Sequence, residues 1–391
     1  MANTQHLATV CVHGVGVADA PAATVGPIYP GTAYRYLDGD ERVYPRYANT
    51  PNQARVAAQV AALEGARAGV AFGSGMAAIS TALLAFLAPG EHVLMQRGLY
   101  GGTVAFAEED LRALGVEVSY TDGLAVGDFA AGFRQNTRVV YLETPSNPLL
   151  NLVDVAAVAA LARARGAVSM IDNTFASPIN QRPHGLGVDI VLHSATKYLG
   201  GHSDILAGVA VGSEAHVREV LAKAHRTGGS LDARAAALLE RSLKTLAVRV
   251  ERQNENALAL ARWLDARDEV AQANYPGLER HPAHDLARKQ MPGGFGGMLS
   301  FELAVGLDAV AFQRSLRLAV SAMSLGGVDT TVCSPHLTSH RRMSRERRAA
   351  EGISDRLLRV SCGLEAVADV QADFAQAFAT SVVSEAASAA A

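Results

Sequence analysis

Residues 138–174 read RVVYLETPSNPLLNLVDVAAVAALARARGAVSMIDNT, and this stretch decides the fold class. Its two apolar runs, 138–142 and 168–171, are rich in β-branched residues and are typical of buried strands. Between them, residues 154–165 carry the pattern of a helix, and Gly166 ends it. A strand, a helix and a strand in this order predict two parallel strands of one sheet. The chain is therefore predicted to be an α/β protein.

Further helices and strands are predicted on both sides of this stretch. Regular structure is predicted to begin at Thr50-Pro51, a capping residue followed by proline at the first helical position. A third strand is predicted at 188–192, and one long helical stretch at 232–264. Beyond it the sequence predicts a strand near 298–303, a helix near 308–318 and a strand near 357–361, which is an α+β pattern.

Three regions follow from this pattern. Residues 1–50 are rich in glycine, proline and tyrosine with little periodicity, and they are predicted to form an extended arm. Residues 51–246 are predicted to form a large domain and 247–391 a smaller C-terminal domain. Its last residues, SVVSEAASAAA, are a low-complexity tail that we expect to be frayed.

Composition narrows the function classes. The 391 residues are 49% hydrophobic and 19% charged with a net charge of -3, so the chain is expected to be globular, with no electrostatic reason to bind nucleic acid or an anionic membrane. The N-terminus lacks the pattern of a signal peptide, and the most apolar run, 77–88, is too short to span a bilayer. The cysteines show no paired or CxxC spacing, which indicates reduced thiols in a cytoplasmic protein; they are Cys11, Cys333 and Cys362.

Polar residues follow each of the three predicted strands, at 143–148, 172–174 and 193–198. In open α/β sheets, ligands bind beyond the carboxyl ends of the strands. Asp172 leaves an apolar strand directly and needs a positive partner or a strong hydrogen bond. Taken alone, Asp172 could be a helix cap, and Lys197 could be an ordinary surface lysine.

A fourth segment, Gly73-Ser74-Gly75-Met76, precedes the apolar helix. Small residues at a helix N-terminus expose backbone N–H groups that suit a phosphate. The segment matches neither the Walker loop nor the nucleophile elbow, and it lacks the third glycine of the dinucleotide fingerprint. A lysine, an acid and a phosphate-binding loop together suit pyridoxal phosphate (PLP), whose aldehyde needs an amine and whose pyridine nitrogen needs an acid.

With these segments the sequence resembles, over nearly its whole length, the PLP-dependent enzymes of cysteine and methionine metabolism, the trans-sulfuration family. Cystathionine and methionine γ-lyases are members. The segments that carry the resemblance are Tyr44-Pro45-Arg46, Gly73 to Met76, Leu99 to Thr103, Glu143 to Pro148, Asp172 to Thr174, Ser194 to His202, Ser324 to Gly327 and Arg359 to Glu365.

The resemblance implies an aspartate-aminotransferase-like (fold type I) large domain with a smaller α+β domain. It also implies a set of roles. Lys197 is the Schiff-base lysine and moves protons, Asp172 pairs with the pyridinium, and Tyr100 stacks on the ring and acts as a base. The phosphate is bound by the N–H groups of Gly75 and Met76 and by the hydroxyls of Ser194 and Thr196.

Two further groups of residues take roles from the resemblance. Arg359 binds the substrate carboxylate, helped by Asn147 and Ser324, and a planar guanidinium suits that task. Tyr44 and Arg46 reach the phosphate of the neighbouring subunit. The protein is then a homotetramer built from dimers that share active sites.

Fewer residues distinguish the subfamilies than identify the family. Gly102 stands where methionine γ-lyases carry cysteine, but residues 103–106 resemble theirs and lack the arginine that cystathionine enzymes tend to place there. Asp329 stands where cystathionine enzymes often have glutamate. We predict a carbon–sulfur lyase that carries out γ-elimination on a simple thioether amino acid, giving 2-oxobutanoate, ammonia and a thiol.

The alternatives in the family are cystathionine γ-lyase, cystathionine γ-synthase and O-acylhomoserine sulfhydrylase. From another class, the alternative is a non-catalytic PLP-fold binding protein. We expect no metal site, because the spacing of His184, His193 and His202 matches no usual zinc pattern. The basic run 341–348 is expected to be a solvated helical face or a subunit contact.

Overall fold

The computed structural model describes residues 5–14, 24–37, 42–341 and 343–382. The chain divides into two compact units, one formed by residues 1–144 and 153–248, the other by residues 145–152 and 249–391. Parts of the predicted arm (1–4, 15–23 and 38–41), Arg342 of the basic run and the tail beyond 382 lie outside the described residues. In the described part, no helix has the length and apolar character needed to cross a membrane.

The first unit is organised around a seven-stranded sheet. Five neighbouring strands are parallel, and one strand near the edge runs antiparallel to both of its neighbours. In chain order the strands are β1 (Ala68–Phe72), β2 (His92–Met95), β3 (Glu117–Tyr120), β4 (Thr137–Glu143), β5 (Val168–Asp172), β6 (Ile190–His193) and β7 (Gly208–Gly212). Their order across the sheet is β1-β7-β6-β5-β4-β2-β3, and β7 is the antiparallel strand.

Nine helices belong to the described part of the first unit, and a tenth begins there. They are α1 (Leu7–His13), α2 (Pro51–Glu64), α3 (Gly75–Phe86), α4 (Gly101–Ala105), α5 (Val126–Gly132), α6 (Val155–Ala164), α7 (Ser177–Asn180), α8 (Glu214–Thr227), α9 (Ala233–Leu243) and α10 (Leu246–Asp265). A π-helical turn, Phe106–Leu111, continues α4, and short 3₁₀ turns lie at Pro45–Tyr47 and Pro183–Leu186.

Helix α2 begins where the sequence predicted. The backbone N–H of Thr50 donates to the Gln53 side chain at 3.1 Å, so the two residues form a capping box ahead of Pro51. Val56, Val60 and Leu63 are fully buried on one face, as their helical spacing predicted.

The predicted strand–helix–strand unit is confirmed by β4, α6 and β5. Asp154 caps α6 by accepting the N–H of Ala157 at 3.0 Å, and Gly166 follows the helix at φ 71°. The third predicted strand, 188–192, begins and ends slightly later, at Ile190–His193. Asp189 lies before it, and its carboxylate accepts the N–H and the hydroxyl of Ser169 on β5.

The predictions for two segments are correct only in part. The stretch 232–264 is two helices, α9 and α10, because 3₁₀-type bonds tighten the chain at Lys244 and Thr245 and the Thr245 hydroxyl donates to the carbonyl of Ser242. The predicted arm is not extended throughout, since it contains α1. Helix α1 buries Val10 and Cys11, and the Gln59 side chain of α2 donates to the Cys11 carbonyl at 2.8 Å.

The second unit contains a five-stranded sheet of order β10-β11-β12-β9-β8, antiparallel except for the β10–β11 pair. Its strands are β8 (Val270–Asn274), β9 (Met298–Leu303), β10 (Val320–Ser321), β11 (Thr331–Cys333) and β12 (Leu357–Ser361). Its helices, besides most of α10, are α11 (His284–Gln290), α12 (Ala309–Ser315), α13 (Arg345–Ala350) and α14 (Val367–Thr380), with a 3₁₀ turn at Pro335–Leu337.

Four phenylalanines form the centre of the second unit's core. Each is at most 1% exposed, and their rings contact one another across β9, α12 and α14; they are Phe301, Phe312, Phe374 and Phe378. Burial of such rings is the main source of stability in a small core. The predicted α+β texture of this part of the chain is confirmed.

Candidate active site

The three polar strand ends meet at one edge of the large sheet. Strands β4, β5 and β6 are adjacent and parallel, and Glu143 at the end of β4 lies opposite Asp172 at the end of β5. His193 ends β6, one residue beyond Leu192, which lies opposite Asp172. The convergence predicted from the sequence is therefore present, and it places Asp172 beside the segment that leads to Lys197.

Asp172 is a buried carboxylate, 7% exposed. Burial raises its pKa, while hydrogen bonds from Thr174 and the positive charges of His193 and Lys197 act in the opposite direction. The Thr174 N–H donates to Asp172 Oδ1 at 2.9 Å. A carboxylate in such a place gains from a further cationic partner, and a protonated pyridine nitrogen would be one.

Lys197 lies in the turn that follows β6 and is half-buried. Its N–H donates to the Ser194 carbonyl at 3.1 Å, and its own carbonyl accepts the N–H of Gly201 at 2.7 Å. These bonds fix the backbone from which the amine extends. The amine is close enough to Asp172 for its charge to lower the pKa of that carboxyl.

The predicted phosphate loop lies at the start of α3. Ser74 caps the helix by accepting the Ala77 N–H at 3.0 Å, and Gly75 and Met76 are its first two residues. Among the described residues, no hydrogen bond engages the N–H groups of Gly75 and Met76. A Cβ on Gly75 would lie 2.7 Å from the Cβ of Ser194, so only glycine allows this approach. The loop and Ser194 are thus brought together.

Thr196 has contacts that the sequence did not predict. Its hydroxyl donates to the carbonyl of Ala207 at 3.2 Å and accepts the Ala207 N–H at 3.1 Å. The hydroxyl thus holds the turn against the start of β7. Its contact with a phosphate stays a prediction.

Tyr100 precedes α4, and its ring is 44% exposed. Its N–H donates to Glu143 Oε2 at 2.8 Å, a contact that ties the residue to the end of β4. A Cβ on Gly102 would lie 2.6 Å from Tyr100 Cε1 and 3.1 Å from Met76 Sδ. The missing side chain at Gly102 therefore makes the space in which the Tyr100 ring lies.

In the second unit, Arg359 lies in the middle of β12 and is only 6% exposed. Nη1 donates to Asn147 Oδ1 at 2.9 Å and Nη2 donates to the Ser324 carbonyl at 3.0 Å. Ser324 contributes its main chain here and has φ 79°, in the left-handed region. Over the described ranges, no carboxylate lies within ion-pair distance of Arg359. A buried guanidinium with neutral acceptors suits a carboxylate ligand.

Arg46 contacts α8 of its own chain and lies beside Tyr44. The Arg46 guanidinium lies 5.6 Å from the Tyr44 ring centroid and 5.3 Å from that of Tyr47, and it donates to the carbonyl of His225. Tyr44 is 41% exposed. Their contact with the phosphate of a neighbouring subunit stays a prediction, as does any role for Asp329, whose side chain is exposed.

The three histidines considered as metal ligands have other partners. His184 bonds to the Val188 carbonyl, His202 to that of Gly200 and His193 to Glu64. Within the described ranges, no three His, Cys, Asp or Glu side chains are grouped so that they could hold a metal ion. Three arginines of the basic run pair with acids, Arg345 and Arg348 with Asp355 and Arg347 with Glu351.

No pattern in the sequence indicates one buried group that lies beside the site. Glu64, the last residue of α2, accepts from His193 Nε2 at 2.7 Å and from Asn173 Nδ2 at 2.8 Å. A glutamate that precedes a glycine at a helix end is normally taken as a surface residue. Its partners are 129 and 109 residues away along the chain, so no local pattern could have found them.

Residues 8–379 match the family model of the Cys/Met metabolism PLP-dependent enzymes. The chain belongs to this family. It is 39% identical to the cystathionine γ-lyase of Bacillus subtilis (strain 168), over 94% of this chain and 98% of that protein. It is also 39% identical to the L-methionine γ-lyase of Pseudomonas putida, over 94% and 96%. The crystal structure of the cystathionine γ-lyase from Lactobacillus plantarum complexed with L-serine superimposes with a TM-score of 0.93 at 38% identity, covering 96% of this chain and 99% of that one.

As a member of the Cys/Met metabolism family, the chain is a PLP-dependent carbon–sulfur lyase with the fold type I architecture. Its cofactor is pyridoxal phosphate and its substrate is an amino acid. The residues fit the cofactor. Asp172 offers a buried carboxylate to the pyridine nitrogen, the start of α3 offers unengaged N–H groups to the phosphate, and Lys197 offers the amine.

Proposed function

We propose that the chain carries out γ-elimination on a simple thioether amino acid, converting L-methionine and water to 2-oxobutanoate, ammonia and a thiol. The observation that carries this choice is the segment after Tyr100. Helix α4, Gly101–Ala105, has the sequence GGTVA and presents no cationic side chain for the distal carboxylate of cystathionine. Asp329 stands at a second position of interest, where cystathionine enzymes often carry glutamate. Its side chain is one methylene shorter than that of glutamate.

When bound, PLP would supply the electron withdrawal that allows a proton to leave the substrate α-carbon at neutral pH. Arg359 holds the substrate carboxylate through two parallel hydrogen bonds, with Asn147 and Ser324 fixing the guanidinium. Lys197 Nζ would carry the α-proton away from the substrate carbon, release it and then take a β-proton, and the leaving γ-thiolate would take up a proton and depart as the thiol. Asp172 would pair with the pyridine nitrogen, and Tyr100 would stack on the ring and act as a base.

The test is a product analysis of the purified holoenzyme with L-methionine, L-cystathionine and O-acetylhomoserine, each with and without added cysteine. We expect 2-oxobutanoate to form fastest from L-methionine, with an equal amount of thiol. A replacement product from O-acetylhomoserine and cysteine, formed without oxo acid, would contradict elimination and support a γ-synthase or sulfhydrylase. Faster turnover of cystathionine would assign a cystathionine γ-lyase. An absence of turnover with bound PLP would support a binding protein.

We also propose that the enzyme is a cytoplasmic homotetramer built from dimers that share active sites. The support for shared sites is the exposed Tyr44 ring beside Arg46, since exposed aromatic and arginine side chains are typical of interfaces. The support for a cytoplasmic location is that all three cysteines are free and buried. Light scattering of the purified protein tests the assembly, and a monomer mass would contradict it.

A further inference from the structure

We infer that Glu64 is a positioning residue for the PLP site, because its single carboxylate joins the strand ends that carry Asp172 and Lys197. Glu64 touches neither of these residues directly. It binds the residue after Asp172 and the last residue of β6, four positions before Lys197. The inference concerns how the cofactor is held, and it does not depend on which amino acid is the substrate.

One carboxylate oxygen of Glu64 accepts both hydrogen bonds. Glu64 Oε1 accepts from His193 Nε2 at 2.7 Å and from Asn173 Nδ2 at 2.8 Å. The side chains of His193 and Glu64 are 1% and 0% exposed. Neighbouring strands β5 and β6 are therefore held in register by a side chain from α2, in addition to their own ladder bonds.

The network continues to the third strand end. Asn173 Nδ2 also donates to the Gln181 carbonyl at 2.9 Å, and Gln181 Nε2 donates to Asn173 Oδ1 at 3.0 Å. Gln181 Nε2 donates in addition to the carbonyl of Thr144, the residue after β4, at 3.2 Å. One buried polar network thus links the ends of β4, β5 and β6.

The charge of Glu64 gives the network a second effect. A fully buried carboxylate is costly unless it is paired and hydrogen-bonded. Within the described residues, Glu64 Oε2 has no hydrogen-bond partner, so His193 and Asn173 must compensate the charge through Oε1. His193, the partner of Glu64, also acts on Asp172 electrostatically. Burial raises the pKa of Asp172, and the Thr174 hydrogen bonds and His193 act in the opposite direction.

The test compares Glu64→Gln, which keeps the shape and removes the charge, with the wild-type holoenzyme. We measure the rate of PLP release into buffer that contains a PLP scavenger, and the visible circular dichroism of the bound PLP per unit of absorbance. We expect PLP release to become about tenfold faster, the effect of losing one charge-assisted hydrogen bond network, and the dichroism to fall. Glu64→Asp, which restores a carboxylate, should recover part of both.

The control is Asp373→Asn in the second unit. Asp373 is 6% exposed and accepts the N–H groups of Arg317, Leu318 and Ala319, so this variant also weakens a buried carboxylate network. It should lower thermal stability and leave the release rate and the dichroism unchanged. The inference would be overturned if Glu64→Gln released PLP at the wild-type rate, or if Asp373→Asn released PLP as fast as Glu64→Gln. If Glu64→Gln does not fold, Asn173→Ser is the second variant, and its release rate decides in the same way.

Discussion

At the scale of single residues, the site depends on glycines, which have no side chain, as much as on its functional side chains. Gly75 allows Ser194 to approach the start of α3, and Gly102 leaves room for the Tyr100 ring. A glycine in such a position is required by packing and not by chain flexibility. The cysteine of methionine γ-lyases could therefore not be introduced at Gly102 without moving Tyr100.

We predict that Gly102→Cys lowers kcat/KM by at least about tenfold, because the new Cβ would displace the Tyr100 ring, which we propose stacks on the cofactor. Steady-state kinetics on the best substrate measures the change. Gly127→Ala is the matched control, because a Cβ at this exposed glycine of α5 meets nothing within 4 Å. Wild-type kinetics in Gly102→Cys would show that the ring has another place to lie.

The residues that we propose for the PLP site could be singled out from the sequence because each has a chemical type that the cofactor requires. Lys197, Asp172 and the glycine loop are recognisable even without distances. Glu64 and the Ala207 contacts of Thr196 could not be predicted, because both depend on pairs that only the folded sheet brings together. Side chains that hold the site residues in place without contacting the ligand leave no recognisable pattern in the local sequence.

At the scale of elements, the sheet of the first unit holds a buried neutral histidine. His92 on β2 is fully buried between Thr137 of β4 and Ser119 of β3, with its ring nitrogens 2.8 Å and 2.7 Å from their hydroxyls. The pKa of His92 is lowered to about 4, chiefly by burial and then by the charge of Arg134, while Glu117 acts in the opposite direction. A proton is therefore bound more readily by the unfolded chain than by the sheet.

This sets the sign of a pH effect. Because the pKa in the folded state lies below the usual value of 6.5, the contribution of His92 to stability is lost as the pH falls from 6.5 towards 4. We predict that His92→Gln reduces the acid dependence of the unfolding free energy in this range by about 1.4 kcal/mol per pH unit. Thermal unfolding at a series of pH values measures it. His13→Gln, on the exposed face of α1, is the control, and an unchanged slope in His92→Gln would contradict the prediction.

The elements themselves were predicted unevenly. In the large sheet, β4, β5 and β6 were predicted, whereas β1, β2, β3 and β7 were missed. These strands have four or five residues, and β7 has the sequence GVAVG, in which glycine at both ends is atypical of a strand. Packing explains the glycines, since a Cβ on Gly208 would collide with the Ser74 carbonyl and one on Gly212 would lie 2.5 Å from the carbonyl oxygen of Asp189.

At the scale of the whole molecule, the proposed shared site makes a prediction about mixtures of chains. Lys197→Ala should lose the visible absorption of bound PLP, and Arg46→Ala should retain PLP poorly. When the two are mixed and reassembled, half of the dimers contain both chains, and one of the two sites in each is intact. We therefore expect about one quarter of wild-type activity.

The control is a mixture of Lys197→Ala with the double variant Lys197→Ala/Arg46→Ala, which has no intact site in any pairing. Mass spectrometry of the intact dimers verifies that mixed dimers form. Mixed dimers that stay inactive would rule out a phosphate contact across subunits. Equal activity in the control mixture would show that the recovery does not come from an intact shared site, and it would contradict the prediction.

The path of the chain between its two units limits how this enzyme can be rebuilt from parts. Residues 145–152 group with the second unit although they lie within the sequence of the first, so the chain changes unit three times. A fragment that starts at residue 249 would lack Asn147, and its Arg359 would lose an acceptor for Nη1. A chimaera made by a single crossover would take its C-terminal part from a relative. Its Asn147 loop and its Arg359 guanidinium would then come from two different parent proteins. A chimaera that transfers the two pieces together keeps this pair matched.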